Sequence, residues 1–240
     1  PPDPPEADRG ISIKPEAGSE KRFSQRKEAR ETMRKNHIIT ILSEYRYGVY
    51  FDMFTIPSEE KKLRSRISSY LSVLKREKKQ HGFIHDGGGK RYSLFCLCFV
   101  LNDLKKSREY FEWYKAEFPD DVGDPIQKLC WALSLHRMKE DASARYALAD
   151  LMLSNLYMIP HLIGLSIQKY DMWHSSNLED IDYLEYIPEE IRGCIQPSEM
   201  VWMSGLFHSF EFRRIRERYI EIFQALQHTK IGRASCRERV

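Results

Sequence analysis

The feature that most constrains the fold of this chain is a pair of consecutive segments that share one helix-turn-helix pattern. The first runs from Lys90 to Asp121, KRYSLFCLCFVLNDLKKSREYFEWYKAEFPDD, and the second from Pro125 to Asn155, PIQKLCWALSLHRMKEDASARYALADLMLSN. In each segment an apolar helix is followed by a short polar turn and then by an amphipathic helix. A repeated helix pair of this kind predicts an array, because each pair buries its apolar face against its neighbours.

The two segments resemble tetratricopeptide repeats. In that family a small residue early in the second helix lets the two helices approach closely, and Ser107 and Ala144 match it. The large apolar residue one turn later matches Phe111 and Leu148, and the proline that closes the repeat matches Pro119 in the first segment only. The resemblance implies antiparallel helix hairpins stacked into an α-solenoid.

Two features depart from the family pattern. Ala132 fits the small position in the first helix of the second segment, but Phe95 occupies the equivalent place in the first. Ser107 and Ala144 lie 37 residues apart, whereas the family repeats about every 34 residues. The resemblance covers about residues 90–160, and a different all-helical hairpin array is the alternative.

The resemblance also implies a concave groove lined by the first helix of each pair, and such grooves typically bind peptides. The partner-groove candidates at these positions are Tyr92, Cys96, Phe99, Leu129 and Leu133. The Lys, Arg and Asn set that clamps a terminal carboxylate in some family members is missing here, so a carboxylate clamp is not expected. Two possibilities stay open: the chain's own later helices fill the groove, or an apolar segment of a partner docks in it.

Helical patterns extend beyond the repeat and predict an all-α protein. Ser58, followed by Glu59 and Glu60, predicts the start of a helix, and apolar residues then recur at helical spacing. They are Leu63, Ile67, Tyr70, Leu71 and Leu74. From Lys90 onward nearly every segment is predicted to be helical, because alternating strand patterns are missing.

The last helix, at about residues 209–228, carries apolar residues at steps of three and four. They are Phe212, Ile215, Tyr219, Ile222 and Leu226. This spacing predicts one buried apolar stripe on an amphipathic helix.

We expect four regions along the chain. Residues 1–22 are rich in proline and are predicted to be disordered. Residues 23–89 hold N-terminal helices, including one at about 24–42, and a glycine-rich linker. Residues 90–230 form the helical-hairpin region, and residues 231–240 form a separate tail.

The tail, IGRASCRERV, resembles a translated sequencing adapter and is expected to have no function. Because the chain also begins with Pro1 rather than Met, we expect it to be a fragment of a larger reading frame. Without the tail the formal charge of +3 falls by about two units, because the tail adds three arginines and one glutamate. Composition then does not favour nucleic acid as a partner.

The remaining cysteines predict a reducing environment. Their spacing fits neither a zinc knuckle nor a disulfide framework, so we expect buried free thiols. They are Cys96, Cys98, Cys130 and Cys194. No apolar run is long enough for a membrane span, and a cytoplasmic protein with no membrane contact is expected.

Three patterns in the sequence contain residue types that can support catalysis, metal binding or phosphate binding. Asp171, His174 and Ser175 in DMWHSSN could form an acid, a base and a nucleophile, but sequence neighbours rarely do so. A polar loop with Trp173 anchored in the core is the preferred interpretation. His81 and His85 have zinc-compatible spacing but no third ligand nearby.

The third pattern, HGFIHDGGGKR at residues 81–91, lacks the spacing of a phosphate-binding loop. A flexible linker is preferred, with weak anion binding at the following helix start as the alternative. Because none of the three patterns fits a catalytic, metal or phosphate site, we predict no enzyme activity, no cofactor and no metal.

Two sets of basic residues are candidates for contact with nucleic-acid phosphates or with an acidic partner. The C-terminal set is Arg213, Arg214, Arg216 and Arg218, and a second set lies within residues 21–35. Interspersed glutamates are typical of solvated helix faces. We therefore predict a non-catalytic protein-interaction module that binds a protein or peptide. The alternatives are an accessory helical region of an enzyme whose catalytic domain is missing here, and a weak nucleic-acid binder using the basic helices.

Overall fold

The computed structural model describes residues 56–228, and these residues form helices and turns with no β-strand among them. The all-α prediction is therefore confirmed. The α-helices are α1 (Glu60–His81), α2 (Lys90–Leu101), α3 (Leu104–Glu117), α4 (Pro125–Arg137), α5 (Asp141–Ser154), α6 (Met158–Leu162), α7 (Glu189–Cys194), α8 (Pro197–His208) and α9 (Phe210–His228). Two 3₁₀ turns, Asn177–Glu179 and Ile181–Tyr186, separate α6 from α7.

Several predictions concern residues outside this range. The predicted disordered segment at residues 1–22, the helix at about 24–42 and the adapter-like tail at 231–240 lie outside the described residues. Within residues 56–228, no helix is both long enough and apolar enough to cross a membrane.

The core is centred on α2, which is buried without a break from Ser93 to Phe99. This helix contacts α1, α3, α4 and α7. Because neighbours surround it, α2 is apolar on all sides rather than on one stripe.

The helices of both predicted segments are present, α2 and α3 in the first and α4 and α5 in the second, and the two helices of each segment contact each other. Asn102, in the left-handed conformation at φ 54°, turns the chain from α2 into α3. The side chain of Asp103 then caps α3 by accepting a hydrogen bond from the Lys106 amide at 3.1 Å. Ser107 and Ala144, the small residues near the starts of α3 and α5, are both fully buried.

Phe95 explains why the first helix pair departs from the family pattern. Its ring is fully buried and stacks on Phe111 at 4.9 Å between ring centres. The rings of Tyr110, Tyr114 and Trp131 lie within 5.2 Å of it. A small residue lets helices approach closely, whereas here an aromatic cluster fills the space between α2, α3 and α4.

The start of α1 differs from the prediction. Glu59 rather than Ser58 is the cap residue, and its side chain makes no capping hydrogen bond. The Glu59 carboxylate instead pairs with Lys62 at 2.5 Å. The predicted apolar face is confirmed at its three buried residues, which are Leu63, Ile67 and Leu74.

α4 begins with a capping box formed by Asp124 and Gln127. The Asp124 carboxylate accepts from the Ile126 and Gln127 amides at 2.8 and 3.3 Å, and Gln127 Oε1 accepts from the Asp124 amide at 3.0 Å. The other carboxylate oxygen of Asp124, Oδ2, accepts from the Tyr183 hydroxyl at 2.6 Å. Burial raises the pKa of Asp124, and these bonds tie the Ile181–Tyr186 turn to α4.

Residues 163–188 are not α-helical, so the prediction of nearly continuous helix after Lys90 is wrong there. Asn155 anchors this segment from the end of α5. Its fully buried amide donates to the Leu178 and Asp180 carbonyls at 2.8 and 3.1 Å. These hydrogen bonds hold the segment against the helices, although the segment itself is not α-helical.

The stripe on α9 is only partly buried. Phe212 is buried, but Ile215, Ile222 and Leu226 are 41%, 42% and 40% exposed. The prediction of one buried stripe is therefore wrong. The reason is that α9 packs on α8 and α5 through the side that carries Phe212 and the half-buried Arg216, and the rest of the stripe lies beside that contact.

Candidate functional site

A groove of about 350 Å³ lies where α3, α4 and α5 meet. Its lining combines aromatic, small and charged side chains. They are Lys115 from α3, then Lys128, Trp131 and Leu135 from α4, and Ala142, Ser143, Tyr146, Ala147 and Asp150 from α5. The small side chains of α5 leave open the space beside the Trp131 ring.

One part of the groove is aromatic with a cation beside it. Tyr146 is 78% exposed, so its ring is available to a partner at no cost in core packing. The ammonium of Lys115 lies 5.3 Å from the centre of the Trp131 ring. An apolar side chain that carries or neighbours a carboxylate fits such a combination.

Another part of the groove is polar, and its two charged side chains, Lys128 and Asp150, form an ion pair with each other. The side chain of Lys128 is only 8% exposed, and its Nζ lies 2.9 Å from Asp150 Oδ2. The same ammonium donates to the Ser154 hydroxyl at 2.6 Å. Lys128 and Asp150 therefore compensate each other, whereas Lys115 is the lining cation that lies over the Trp131 ring.

The partner-groove candidates inferred from the family resemblance lie elsewhere. Cys96, Phe99, Leu129 and Leu133 are all at most 1% exposed, and α7 contacts α2. Tyr92 is half-buried and donates its hydroxyl to Asp121 Oδ1 at 2.7 Å. The four buried side chains cannot contact a partner at the surface, which agrees with the alternative that the chain's own helices fill that space.

The residues of the observed groove were missed by the sequence analysis. Trp131 and Tyr146 lie within α4 and α5, the two helices of the second repeat segment. The available signal was on α5, where Ala142, Ser143, Ala147 and the aromatic Tyr146 share helical spacing. A small-residue face that includes one large exposed ring is unusual for a helix that packs entirely into a core.

Comparison with known proteins gave no relative. No family model, curated protein or solved structure matches this chain. We therefore infer its function from the geometry of its own residues.

The candidate acid, base and nucleophile are not joined to one another. Asp171 Oδ1 accepts from Gln227 Nε2 at 2.7 Å, and Ser175 donates its amide and hydroxyl to Glu179. His174 Nδ1 lies 3.8 Å from the same Glu179 carboxylate. These contacts hold a loop between α6 and α7 rather than a proton relay from Ser175 to His174.

The same loop corrects one interpretation. Trp173 is 43% exposed and stacks on Phe223 with ring centres 5.9 Å apart. Its amide also donates to the Phe223 carbonyl at 3.2 Å. The prediction that Trp173 is anchored in the core is wrong, because the ring lies on the side of α9.

The glycine-rich stretch at residues 81–91 leads into α2, and its Asp86 is bonded to the first amides of that helix. The buried Asp86 carboxylate accepts from the Lys90 and Arg91 amides, each at 2.8 Å, and from the Arg91 guanidinium at 3.2 Å. The stretch is therefore anchored rather than an unattached linker. Since Asp86 already occupies the first amides of α2, the alternative of anion binding there is not supported.

Metal and thiol candidates can be placed directly. In the part of the chain from residue 56 to 228, no three His, Cys, Asp or Glu side chains are grouped to hold a metal ion, and both His81 and His85 are exposed. Cys96, Cys98 and Cys130 are buried free thiols, as predicted, whereas Cys194 is half-buried.

The C-terminal basic set divides into two kinds. The Arg216 guanidinium lies 3.9 Å from the centre of the Phe207 ring and donates to the Phe207 carbonyl at 3.1 Å. These contacts make Arg216 a packing residue, and burial lowers its pKa. Arg213, Arg214 and Arg218 are exposed.

Proposed function

We propose that this protein is a non-catalytic, cytoplasmic interaction module. In this proposal its helix pairs are tetratricopeptide-like, and the groove between α3, α4 and α5 binds an extended segment of a partner protein. The observation that carries the proposal is the groove itself, in which the exposed Tyr146 ring and the Trp131 ring line a space of about 350 Å³.

The composition of the groove supports peptide binding over catalysis. Aromatic rings offer large apolar contact at a low cost in side-chain entropy, and they dominate the energetics of many protein interfaces. Among the nine lining residues, Lys128 and Asp150 are paired with each other at 2.9 Å. This leaves no activated acid or base pair among the lining side chains.

Blocking the groove tests the proposal without touching the core. Ser143→Arg places a long side chain on an exposed position of the groove wall, whereas Val122→Arg adds the same side chain at a position that is 81% exposed outside the groove. Peptides selected against the full chain from a random display library serve as probes. Their affinity is measured by fluorescence anisotropy.

The proposal predicts that Ser143→Arg weakens binding by roughly tenfold or more, since it displaces contacts on aromatic surface. Val122→Arg should bind as the unmodified chain does. If selected peptides bind both variants with unchanged affinity, the groove is not the binding site.

A further inference from the structure

We infer that the outer face of α1 docks on the phosphate backbone of duplex DNA, through contacts that do not depend on base sequence. This outer face is formed by four cations and three serines. They are Lys61, Ser65, Ser68, Ser72, Lys75, Arg76 and Lys79. The groove between α3, α4 and α5 is lined by other residues, so the inference does not depend on the function proposed for that groove.

Positive charge is concentrated in α1. Eight of its 22 residues are lysine or arginine and two are glutamate, which leaves the helix with an excess of six positive charges. The whole chain has a formal charge of only +3, so the residues outside α1 together carry a net negative charge. Such an asymmetry within one chain is typical of proteins that bind polyanions.

Helical spacing places the four cations on one side of α1. With about 3.6 residues per turn, Lys75 and Lys79 lie nearly in line with Lys61, and Arg76 lies beside them. The buried residues of α1 are on the opposite side, and the helix contacts α2. All seven residues of the outer face are exposed, so a partner can reach the cations without any change in the packing of α1.

The two glutamates of α1 do not lie on the outer face. Glu60 is turned to the side of the helix and pairs with Arg64 at 2.8 Å. Glu77 is half-buried and accepts a hydrogen bond from the Asp86 amide at 3.2 Å. Neither carboxylate therefore opposes an anion that approaches the outer face.

Acids beside α1 are paired with other cations. Glu59 lies 2.5 Å from the ammonium of Lys62, and Glu117 of α3 lies 2.5 Å from that of Lys78. Within residues 56–228 the four cations of the outer face have no carboxylate at ion-pair distance. Their charges are available to phosphate groups, which form strong charge-assisted hydrogen bonds with lysine and arginine.

The residue types of the outer face fit DNA phosphates better than other anionic partners. Lysine, arginine and serine are among the side chains that contact the DNA backbone, and such contacts alone support sequence-independent binding. The face contains no apolar or aromatic side chain. It therefore has nothing to insert into a bilayer, to anchor a protein interface or to stack on the bases of a single strand.

The shape of the face fits a B-form duplex. The hydroxyls of Ser68 and Ser72 donate back to carbonyls of the preceding turn at 3.0 and 2.8 Å, so the middle of the face stays narrow. An α-helix is about 10–12 Å across, and the major groove of B-DNA, about 12 Å wide, admits it, whereas that of duplex RNA is too narrow.

The length of the face allows contact with both strands. Lys61 and Lys75 are 14 positions apart, which corresponds to about 21 Å along the helix axis. This separation exceeds the groove width of about 12 Å. The long side chains at the two ends of the face can therefore reach phosphates on both sides of the groove.

The first test is fluorescence anisotropy of the full chain with a labelled DNA duplex of mixed sequence. Four phosphate contacts predict binding at about 50 mM salt that weakens toward about 200 mM, with a slope of log K against log salt of about −3 to −4. Further basic residues lie within residues 21–35. Variants are therefore needed to assign the contact to α1.

Two double variants that remove the same charge locate the contact. Lys75→Gln/Arg76→Gln should weaken duplex binding by roughly tenfold or more at the lower salt and reduce the salt slope by about two. Lys105→Gln/Arg145→Gln removes one lysine and one arginine at exposed positions outside α1, and both quantities should stay nearly unchanged. Equal effects of the two double variants would overturn the inference.

A gain of affinity provides a test that loss of folding cannot imitate. Ser72→Lys adds a cation at the middle of the outer face and should tighten duplex binding several-fold, with a salt slope steeper by about one. Ser198→Lys adds the same charge at an exposed position of α8 and should have little effect. Circular dichroism confirms that each variant keeps its helices.

Three further results would overturn the inference. The first is the absence of salt-dependent binding of the duplex to the unmodified chain. The second is equal or tighter binding of single-stranded DNA, duplex RNA, a polyglutamate peptide or vesicles of phosphatidylserine and phosphatidylcholine. The third is the same affinity for the duplex in Ser72→Lys and Ser198→Lys.

Discussion

The guanidinium group of Arg137 on α4 binds the carboxylate of Glu199 on α8 at two points, with Nε–Oε1 at 2.8 Å and Nη2–Oε2 at 3.1 Å. The two side chains are only 10% and 2% exposed. Arg137 also donates to Asn102 Oδ1 at 2.9 Å and to the Cys194 carbonyl at 2.7 Å. One side chain therefore connects the ends of α2 and α7 to α4 and α8.

Removing one partner of this pair should be strongly destabilising. Glu199→Ala leaves a buried guanidinium without its counter-charge, which typically costs about 3–5 kcal/mol in the free energy of unfolding. Urea unfolding of the full chain measures it. Glu221→Ala, which breaks the exposed pair with Arg218, should cost under about 1 kcal/mol. Similar losses in both variants would contradict a stabilising role for the buried pair of Arg137 and Glu199.

The aromatic centre should be equally sensitive. Phe95→Ala removes a fully buried ring that contacts α3 and α4, and such truncations cost about 3–5 kcal/mol because a cavity remains. Phe83→Ala, at a ring that is 56% exposed, should cost far less. If thermal melting shows the two variants to be equally stable, Phe95 does not organise the helix pairs.

Acid sensitivity should arise in part from Asp121. Burial alone would raise the pKa of Asp121, but hydrogen bonds from Arg91 at 2.5 Å and from Tyr92 outweigh it and hold the pKa below its ordinary value. The stabilisation is therefore complete above the pKa of a free aspartate, about 3.9, and is lost as the pH falls through the lower folded value.

Asp121→Asn should accordingly reduce stability at neutral pH and flatten the loss of stability below about pH 4. The measurement is the urea midpoint as a function of pH. Asp120→Asn, a change at the exposed neighbour, should leave the profile unchanged. If the urea midpoint falls identically below about pH 4 in the unmodified chain and in both variants, Asp121 does not contribute to acid sensitivity.

Thiol reactivity should separate the cysteines. Cys96 and Cys98 are each 1% exposed. Burial raises the pKa of Cys98 to about 12 and that of Cys96 well above its ordinary value, which keeps both thiols protonated at neutral pH. Cys194 is only half-buried. With Cys236 of the tail replaced by serine, a thiol reagent should modify Cys194 in the native protein and the other three cysteines only after unfolding. Rapid native labelling of Cys96 or Cys98 would contradict their burial.

The sequence was sufficient for features that depend on local spacing. The helices of the two segments and the burial of Ser107 and Ala144 follow from residues three and four positions apart. Asp124 could also have been recognised, because an aspartate, a proline and a glutamine at positions 124, 125 and 127 form a capping-box pattern.

The sequence was insufficient where a distant residue decides the outcome. Periodicity predicts that one side of α9 is apolar, but only the positions of α5 and α8 determine that Ile215 and Ile222 stay exposed. The contact between Arg137 and Glu199 joins residues 62 positions apart, and no local pattern marks it. The candidate groove is likewise defined by three helices, so the spacing within any one of them does not reveal it.

The proposed interaction module is tested most directly by two-dimensional amide NMR of the isotope-labelled full chain, titrated with a peptide selected by display. We expect shift changes at the Trp131 indole N–H and at the amides of Tyr146 and Ala147, with Val122 and the α9 amides unmoved. Saturable shifts confined to residues outside the groove between α3, α4 and α5 would contradict the proposal.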